Sequence, residues 1–126
     1  SIHQYLTFSV NSPAQYALAK YLEIYEKGAA ASLLQGKREL LIEGLKTSRF
    51  KKLPTSQGTY FQLYDYSNIS DLNDVEFAKW LTTAHKVATI PLSAFYKMPQ
   101  PDKIIRLCFA KKDEVLRAAI QQLGKL

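Results

Sequence analysis

Apolar residues recur at helical spacing between residues 12 and 48 of the chain, whereas residues 1–11 are mixed apolar and polar without a clear period. Ser12 followed by Pro13 is typical of a helix start, because a hydroxyl caps the first turn and proline is tolerated at the first helical position. This helix is predicted to end near Gly28. Leucines at helical spacing between Leu33 and Leu45 predict a second and longer helix.

The rest of the chain alternates short apolar strands with helices. Asp71 and Asp113 are predicted to cap two helices, since a carboxylate at the N-cap accepts hydrogen bonds from free backbone N–H groups. Strands are predicted over residues 50–54, 59–64, 87–90 and 104–110, the first two as a hairpin. The order of elements predicts an α/β fold of the α+β kind, in which helices flank a mostly antiparallel sheet.

Composition narrows the class of protein. The chain has 126 residues, 47% of them hydrophobic and 22% charged, which suits one globular core. No apolar run approaches the roughly 18 residues that span a membrane, and no secretory signal is visible. A single cysteine fits a reducing, cytoplasmic location. The net charge of +6 raises nucleic acid as a partner, although the basic residues are spread along the chain.

One charge stands in the most apolar strand. Arg106 is flanked on both sides by apolar residues in the run from Ile104 to Ala110. Burying an unpaired guanidinium costs several kcal/mol, so we expect it to meet a carboxylate. That carboxylate belongs either to the protein, as an internal salt bridge, or to a substrate, for which the planar fork of arginine makes a two-pronged clamp. The pattern alone leaves both interpretations open.

Other combinations of reactive residues are weaker. His3, His85 and Cys108 lie far apart and lack the spacing of metal ligands, so no metal site is predicted. Cys108, in the apolar strand, is expected to be an inert core thiol. The sequence contains no glycine-rich phosphate loop and no recognisable Ser/His/Asp set.

Four motifs together resemble a known family. They are TFSVNSPAQ (residues 7–15), GTYF (58–61), ATIPLSAFY (88–96) and IRLCFAK (105–111). In this order and spacing they resemble the C-terminal part of class I/II aminotransferases of fold type I, which depend on pyridoxal 5'-phosphate (PLP). Within that group the resemblance is to bacterial methionine aminotransferases and to kynurenine aminotransferases (glutamine transaminase K).

The resemblance implies a domain division and site residues. Residues 1–28 would end the large, cofactor-binding domain and form the helix after it, and residues 29–126 would form a long connecting helix and the small domain. Arg106 falls on the arginine that pairs with the substrate's α-carboxylate. Phe8 and Ser9 fall where family members reach across a dimer interface and line the partner subunit's pocket. Kynurenine enzymes often carry histidine at the position of Ser9, so serine favours the methionine branch.

The resemblance also implies what this chain lacks. The motif with the lysine that binds PLP covalently does not occur here, so no catalytic and no cofactor-binding residue is predicted, and the chain alone is expected to be inactive. The parent enzyme would be a cytoplasmic homodimer. It would use PLP to move an amino group from methionine, an aromatic or another amino acid to a 2-oxo acid, with neither nucleic acid nor a membrane as partner.

Without the family resemblance, the residues are also compatible with two other functions. A non-catalytic domain would sense a carboxylate through Arg106. A basic module would bind nucleic acid through its positive charge and through stacking on the aromatic residues Tyr60, Phe61, Tyr64 and Tyr66.

Overall fold

The computed structural model describes residues 2–6, 9–98 and 103–126. Its α-helices are α1 (Ile2–Leu6), α2 (Ser12–Ile24), α3 (Ala29–Gly44), α4 (Asp74–His85) and α5 (Asp113–Leu123). Its strands are β1 (Lys51–Lys52), β2 (Phe61–Asp65), β3 (Ile90–Pro91) and β4 (Ile104–Cys108), and a 3-10 helix spans Leu92–Phe95. The chain divides into two compact units, Ser1–Ala30 and Ala31–Leu126.

The first unit contains α1 and α2. Helix α2 begins where the sequence predicts, but its N-cap is Asn11, whose Oδ1 accepts a hydrogen bond from the Ala14 N–H at 3.0 Å. It ends at Ile24, earlier than predicted, because the next residue, Tyr25, is already extended (φ −70°, ψ 120°). No sequence pattern predicts the short helix α1. None of the residues of α2 is buried.

The second unit is built on a four-stranded sheet with the order β1-β2-β4-β3, and its neighbouring strands are antiparallel. Lys51 lies opposite Asp65 in the pairing of β1 with β2, which confirms the predicted hairpin. Strand β4 lies between β2 and β3, with Leu63 and Ile90 opposite Arg106 on its two sides. The helices and this sheet confirm the predicted α/β class, a helix-flanked antiparallel sheet.

Helices α3, α4 and α5 share one hydrophobic core with one face of the sheet. Strands β2 and β4 alternate between buried and half-buried residues, so Tyr64, Ile105 and Leu107 point into this core. The helices contribute apolar side chains to the same cluster: Leu41 from α3, Phe77 and Leu81 from α4, Leu116 and Leu123 from α5. Alternation leaves Arg106 and Cys108 half-buried on the opposite face, which corrects the expectations of a buried guanidinium and of a core thiol.

Two helix starts differ from the prediction. Helix α4 is capped by Asn73, whose Oδ1 accepts a first-turn N–H at 2.9 Å, and not by Asp71. Asp71 pairs instead with Lys103, with 2.6 Å between Oδ1 and Nζ. The hydrogen bond and charge of Lys103 hold the pKa of Asp71 below its usual range. Asp113 is the first residue of α5 and pairs with Lys37 of α3, while the N-cap position lies one residue earlier.

The close approach of α3 and α5 depends on Gly44. A Cβ atom at this position would lie 2.6 Å from Cδ1 and 2.8 Å from Cγ2 of Ile120. A branched side chain in a helix has few rotamers, so Ile120 has little freedom to move aside. We expect Gly44→Ala to cost about 1–3 kcal/mol of unfolding free energy through overpacking, as measured by urea titration of the expressed chain.

Gly36→Ala is the matched control in the interior of the same helix, where an added Cβ would meet no atom within 4 Å. Because alanine has the higher helix propensity, we expect Gly36→Ala to stabilise the chain by about 0.5–1 kcal/mol. Equal gains from the two substitutions would contradict the tight contact between α3 and α5.

Two buried tyrosines of the core differ in their hydrogen bonding. Tyr66 is fully buried, its hydroxyl donates to the Leu72 carbonyl oxygen at 2.9 Å, and its ring stacks on Phe77 with the centroids 3.8 Å apart. The hydroxyl of Tyr64 is buried without a hydrogen-bond partner among the described residues. Burial raises the pKa of Tyr64, and burial with a smaller contribution from nearby carboxylates raises the pKa of Tyr66 to about 12.

These pKa shifts predict a loss of stability in alkaline solution. The folded state favours the neutral phenol of Tyr66. The phenol's contribution to the free energy of unfolding is therefore complete below the pKa of about 10 that tyrosine has in the unfolded chain, and it is lost as the pH rises toward 12. Tyr66→Phe should cost about 1 kcal/mol at neutral pH, because a hydrogen bond is lost, and should reduce the alkaline fall in stability. Tyr64→Phe should be nearly neutral at the same pH. Denaturant titrations at neutral pH and between pH 10 and 12 test both, and an unchanged alkaline fall in Tyr66→Phe would contradict the assignment.

Candidate functional site

Arg106 stands at the centre of the half-buried face of the sheet. Its guanidinium carbon lies 4.4 Å from the ring centroid of Phe61 and 5.1 Å from that of Phe95. Phe61 is the first residue of β2, and Phe95 ends the 3-10 helix that follows β3. Strands β2 and β3 are the two neighbours of β4, so one ring comes from each side of Arg106. Cation–π contacts of this kind contribute about 0.5–1 kcal/mol each at exposed sites. The two rings therefore restrict where the guanidinium lies.

The guanidinium of Arg106 has no carboxylate partner in the part of the chain that the structure describes. The ion pairs found there join Lys20 to Glu23, Lys37 to Asp113, Lys46 to Glu43 and Lys103 to Asp71. Of the two interpretations that the sequence offers for Arg106, the internal salt bridge is not observed among these residues. A guanidinium with unused donors suits a planar anion such as a carboxylate.

The Phe61 side of the site is anchored by hydrogen bonds. Gln62, the next residue of β2, is fully buried, and its Oε1 accepts a hydrogen bond from the Ser56 N–H at 3.0 Å. The Ser56 hydroxyl donates to the Phe61 carbonyl oxygen at 2.8 Å. Arg38 of α3 donates from Nη1 to the Ser56 carbonyl oxygen at 2.6 Å. These bonds tie the loop before β2 to α3 and thereby fix the start of the strand that carries Phe61.

Sequence reasoning missed the contact of both rings with Arg106. The local pattern places Phe61 in an aromatic strand and offers base stacking as its role, and it gives Phe95 no role at a site. Alternation along β2 was the available signal, because Phe61 and Leu63 share a face and Leu63 lies opposite Arg106. Alternation places Phe61 beside Arg106 only when the register of β2 against β4 is known. These strands are far apart in the chain, and a single sequence does not reveal their register.

The other two predicted site residues lie in the first unit. Ser9 is exposed in a bend before α2. Phe8 lies outside the described residues. The role predicted for both, in the pocket of a partner subunit, stays a prediction.

The lysines do not fit a covalent cofactor site. A lysine that forms a Schiff base needs a desolvated or cationic environment that lowers its pKa. Lys37 and Lys103 are partly buried but are paired with carboxylates, and every other lysine of the chain is exposed. We therefore assign no residue of this chain to holding PLP.

Over the described residues, no group of three or more His, Cys, Asp or Glu side chains is placed to hold a metal ion. Over the same ranges, every helix is too short or too polar to cross a membrane.

Comparison with known proteins identifies the family. Residues 2–123 match the family of class I and II aminotransferases. The chain belongs to this family. It is 52% identical over 127 residues to methionine aminotransferase of Escherichia coli K12, with 99% of this chain and 33% of that protein aligned. Kynurenine–oxoglutarate transaminase of Dictyostelium discoideum is 35% identical over 148 residues, with 98% of this chain and 34% of that protein aligned.

Solved structures of aminotransferases have the same fold. A crystal structure of a methionine aminotransferase from Escherichia coli matches with a TM-score of 0.90 at 52% identity, over 98% of this chain and 33% of that one. N-succinyldiaminopimelate aminotransferase from Mycobacterium tuberculosis matches with a TM-score of 0.82 at 32% identity, over 97% of this chain and 32% of that one. The resemblance seen in the sequence motifs is thus confirmed, and the chain spans about one third of the length of these relatives.

Proposed function

We propose that this chain is the part of a PLP-dependent aminotransferase that binds the α-carboxylate of the amino-acid substrate. The observation that carries the proposal is the guanidinium of Arg106, which lies against Phe61 and Phe95 and has no carboxylate partner among the described residues. Membership of the aminotransferase family supports it. An α-amino acid and a 2-oxo acid both carry a carboxylate beside the carbon that reacts in transamination.

The geometry suits orientation of a substrate. A carboxylate that accepts two parallel hydrogen bonds from Arg106 is held in one plane, and the substrate's Cα is then held at a fixed distance from the sheet. The rings of Phe61 and Phe95 displace water from the sides of the guanidinium, which strengthens the charge interaction. PLP supplies the electron sink for the reaction when bound, and its binding falls to residues other than the described lysines.

The donor in this proposal is methionine or an aromatic amino acid, and the acceptor is a 2-oxo acid. The two phenylalanine rings beside Arg106 would favour a large apolar side chain over a small or charged one. The names of the relatives, a methionine aminotransferase and a kynurenine–oxoglutarate transaminase, support this class. Phe8 and Ser9 would add to the pocket of the partner subunit in a cytoplasmic homodimer.

The domain assignment is part of the same proposal. Residues 1–28 would end the large domain and residues 29–126 would contain the connecting helix and the small domain. The boundary between the two compact units, after Ala30, lies close to this division and supports it.

A carboxylate-sensing domain without catalysis is the second candidate. It is favoured by an Arg106 that has no carboxylate partner among the described residues, in a chain whose lysines are exposed or ion-paired. The parent protein separates the two candidates, because a sensor would bind amino or 2-oxo acids without turning them over.

Arg106→Lys in the full-length enzyme tests the proposed function. Lysine keeps the charge but lacks the planar fork, so we expect a loss of about 2–4 kcal/mol in kcat/KM for methionine, with PLP absorbance unchanged. Arg117→Lys, at an exposed position of α5, is the matched control and should leave kcat/KM unaltered. Arg106→Lys with unchanged kinetics would remove Arg106 from the substrate site.

The 126-residue chain by itself should neither bind PLP covalently nor transaminate, because its lysines are exposed or ion-paired. The measurement is the absorbance of the chain after incubation with PLP and removal of the excess. A retained band that disappears when one lysine of this chain is substituted would refute the expectation.

A further inference from the structure

Asp74 is a buried carboxylate whose two oxygens are both used by one residue. It is the first residue of α4 and only 6% exposed. Its Oδ2 accepts a hydrogen bond from the Ser93 N–H at 2.7 Å, and its Oδ1 accepts one from the Ser93 hydroxyl at 2.8 Å. Burying a charge is costly unless hydrogen bonds satisfy it, and hydrogen bonds to a carboxylate are among the strongest in proteins. Asp74 therefore holds Ser93 firmly to the start of α4.

Ser93 lies in the 3-10 helix that carries Phe95. The segment is a single turn, Leu92–Phe95, closed by a hydrogen bond from the Tyr96 N–H to the Ser93 carbonyl oxygen at 3.1 Å. Such a short turn has few internal hydrogen bonds, so its position depends on its attachments. Among the described residues, the turn follows strand β3, lies against α4 and β4, and is tied to Asp74 by the two hydrogen bonds from Ser93.

The position of this turn decides where the Phe95 ring lies. Phe95 is 59% exposed, so core packing does little to hold it. Its ring nevertheless lies 5.1 Å from the guanidinium carbon of Arg106, on the face of the sheet where Ile90 lies opposite Arg106. A shift of the turn would therefore move one wall of the site, while Phe61 and the core would stay in place.

We propose that Asp74 is a positioning residue that acts through Ser93 to set the Phe95 ring against Arg106, and that this determines how well the site accepts bulky apolar amino acids. The inference rests on the proposed function. It assigns a specificity role to a carboxylate at the start of α4 and to Ser93, neither of which has to touch the substrate.

Ser93→Ala in the full-length, PLP-loaded enzyme is the principal test. It removes the hydroxyl bond to Asp74 and keeps the N–H bond, so the protein should fold. We expect the ratio of kcat/KM for phenylalanine to that for alanine to fall about three- to tenfold, mainly through KM, with PLP absorbance unchanged. Asp74→Asn, which keeps only one acceptor oxygen, should change the ratio in the same direction. Ser93→Thr keeps a hydroxyl that can donate to Asp74, so its phenylalanine-to-alanine ratio should equal that of the unmodified enzyme.

Two further variants separate positioning from stability. Tyr66→Phe loses a buried hydrogen bond in the core and should lower the melting temperature without changing the donor ratio. Phe95→Leu should lower the phenylalanine-to-alanine ratio of kcat/KM. Adding Ser93→Ala to Phe95→Leu should lower this ratio little further, because both substitutions act through the Phe95 side of the site.

The outcomes distinguish this inference from the proposed function. If Arg106→Lys impairs turnover but Ser93→Ala and Asp74→Asn lower only the melting temperature, the positioning role is wrong and the proposed function stands. Additive effects of Ser93→Ala and Phe95→Leu would also overturn the positioning role. If Arg106→Lys is without effect, both the proposed function and this inference fail.

Discussion

Side chains of strand β4 alternate between the hydrophobic core of the second unit and the face of the sheet that carries Arg106, so the packing of the core determines where Arg106 lies. Neighbouring side chains of a strand point to opposite faces, so Ile105 and Leu107 enter the core while Arg106, between them, faces outward. A slip of β4 by one residue would bury the guanidinium and expose both apolar side chains. The hydrophobic effect on one face thus fixes the charge on the other. The same strand aligns β2 and β3, so the segments that bear Phe61 and Phe95 are placed by the pairing that stabilises the sheet.

The elements of this fold were more predictable than their ends. Helices α3 and α4 follow from apolar residues at helical spacing, because one face of each must meet the core. The exact helix starts are harder to predict, because adjacent or nearby residues can each serve as the N-cap. Asn11 and Ser12 both suit an N-cap, as do Asp71 and Asn73, and only the observed backbone shows that the two asparagines accept the hydrogen bonds. Helix α1 has no pattern that predicts it, since it is short and its apolar residues have no clear period.

Of the three residues that form the candidate site, the sequence predicted only Arg106. Arg106 stands out as a single charge in an apolar run, even though half of that run faces away from the core. Its neighbours Phe61 and Phe95 depend on strand register and on the path of a 3-10 turn, and both are properties of tertiary pairing. Asp74 illustrates the same limit. It lies in the first turn of α4, where acidic residues are common in any helix, but its carboxylate accepts two hydrogen bonds from Ser93, 19 residues further along the chain.

The two outer strands of the sheet have a consequence for self-association. An edge strand exposes unpaired N–H and C=O groups to which another chain can add, and long apolar edges promote aggregation. Here one edge is β1, two residues long and made of Lys51 and Lys52, whose like charges repel an incoming copy. The other is β3, whose second residue, Pro91, has no N–H to offer. A lysine pair at one edge of the sheet and a proline at the other give an incoming strand of a second copy few groups with which to pair.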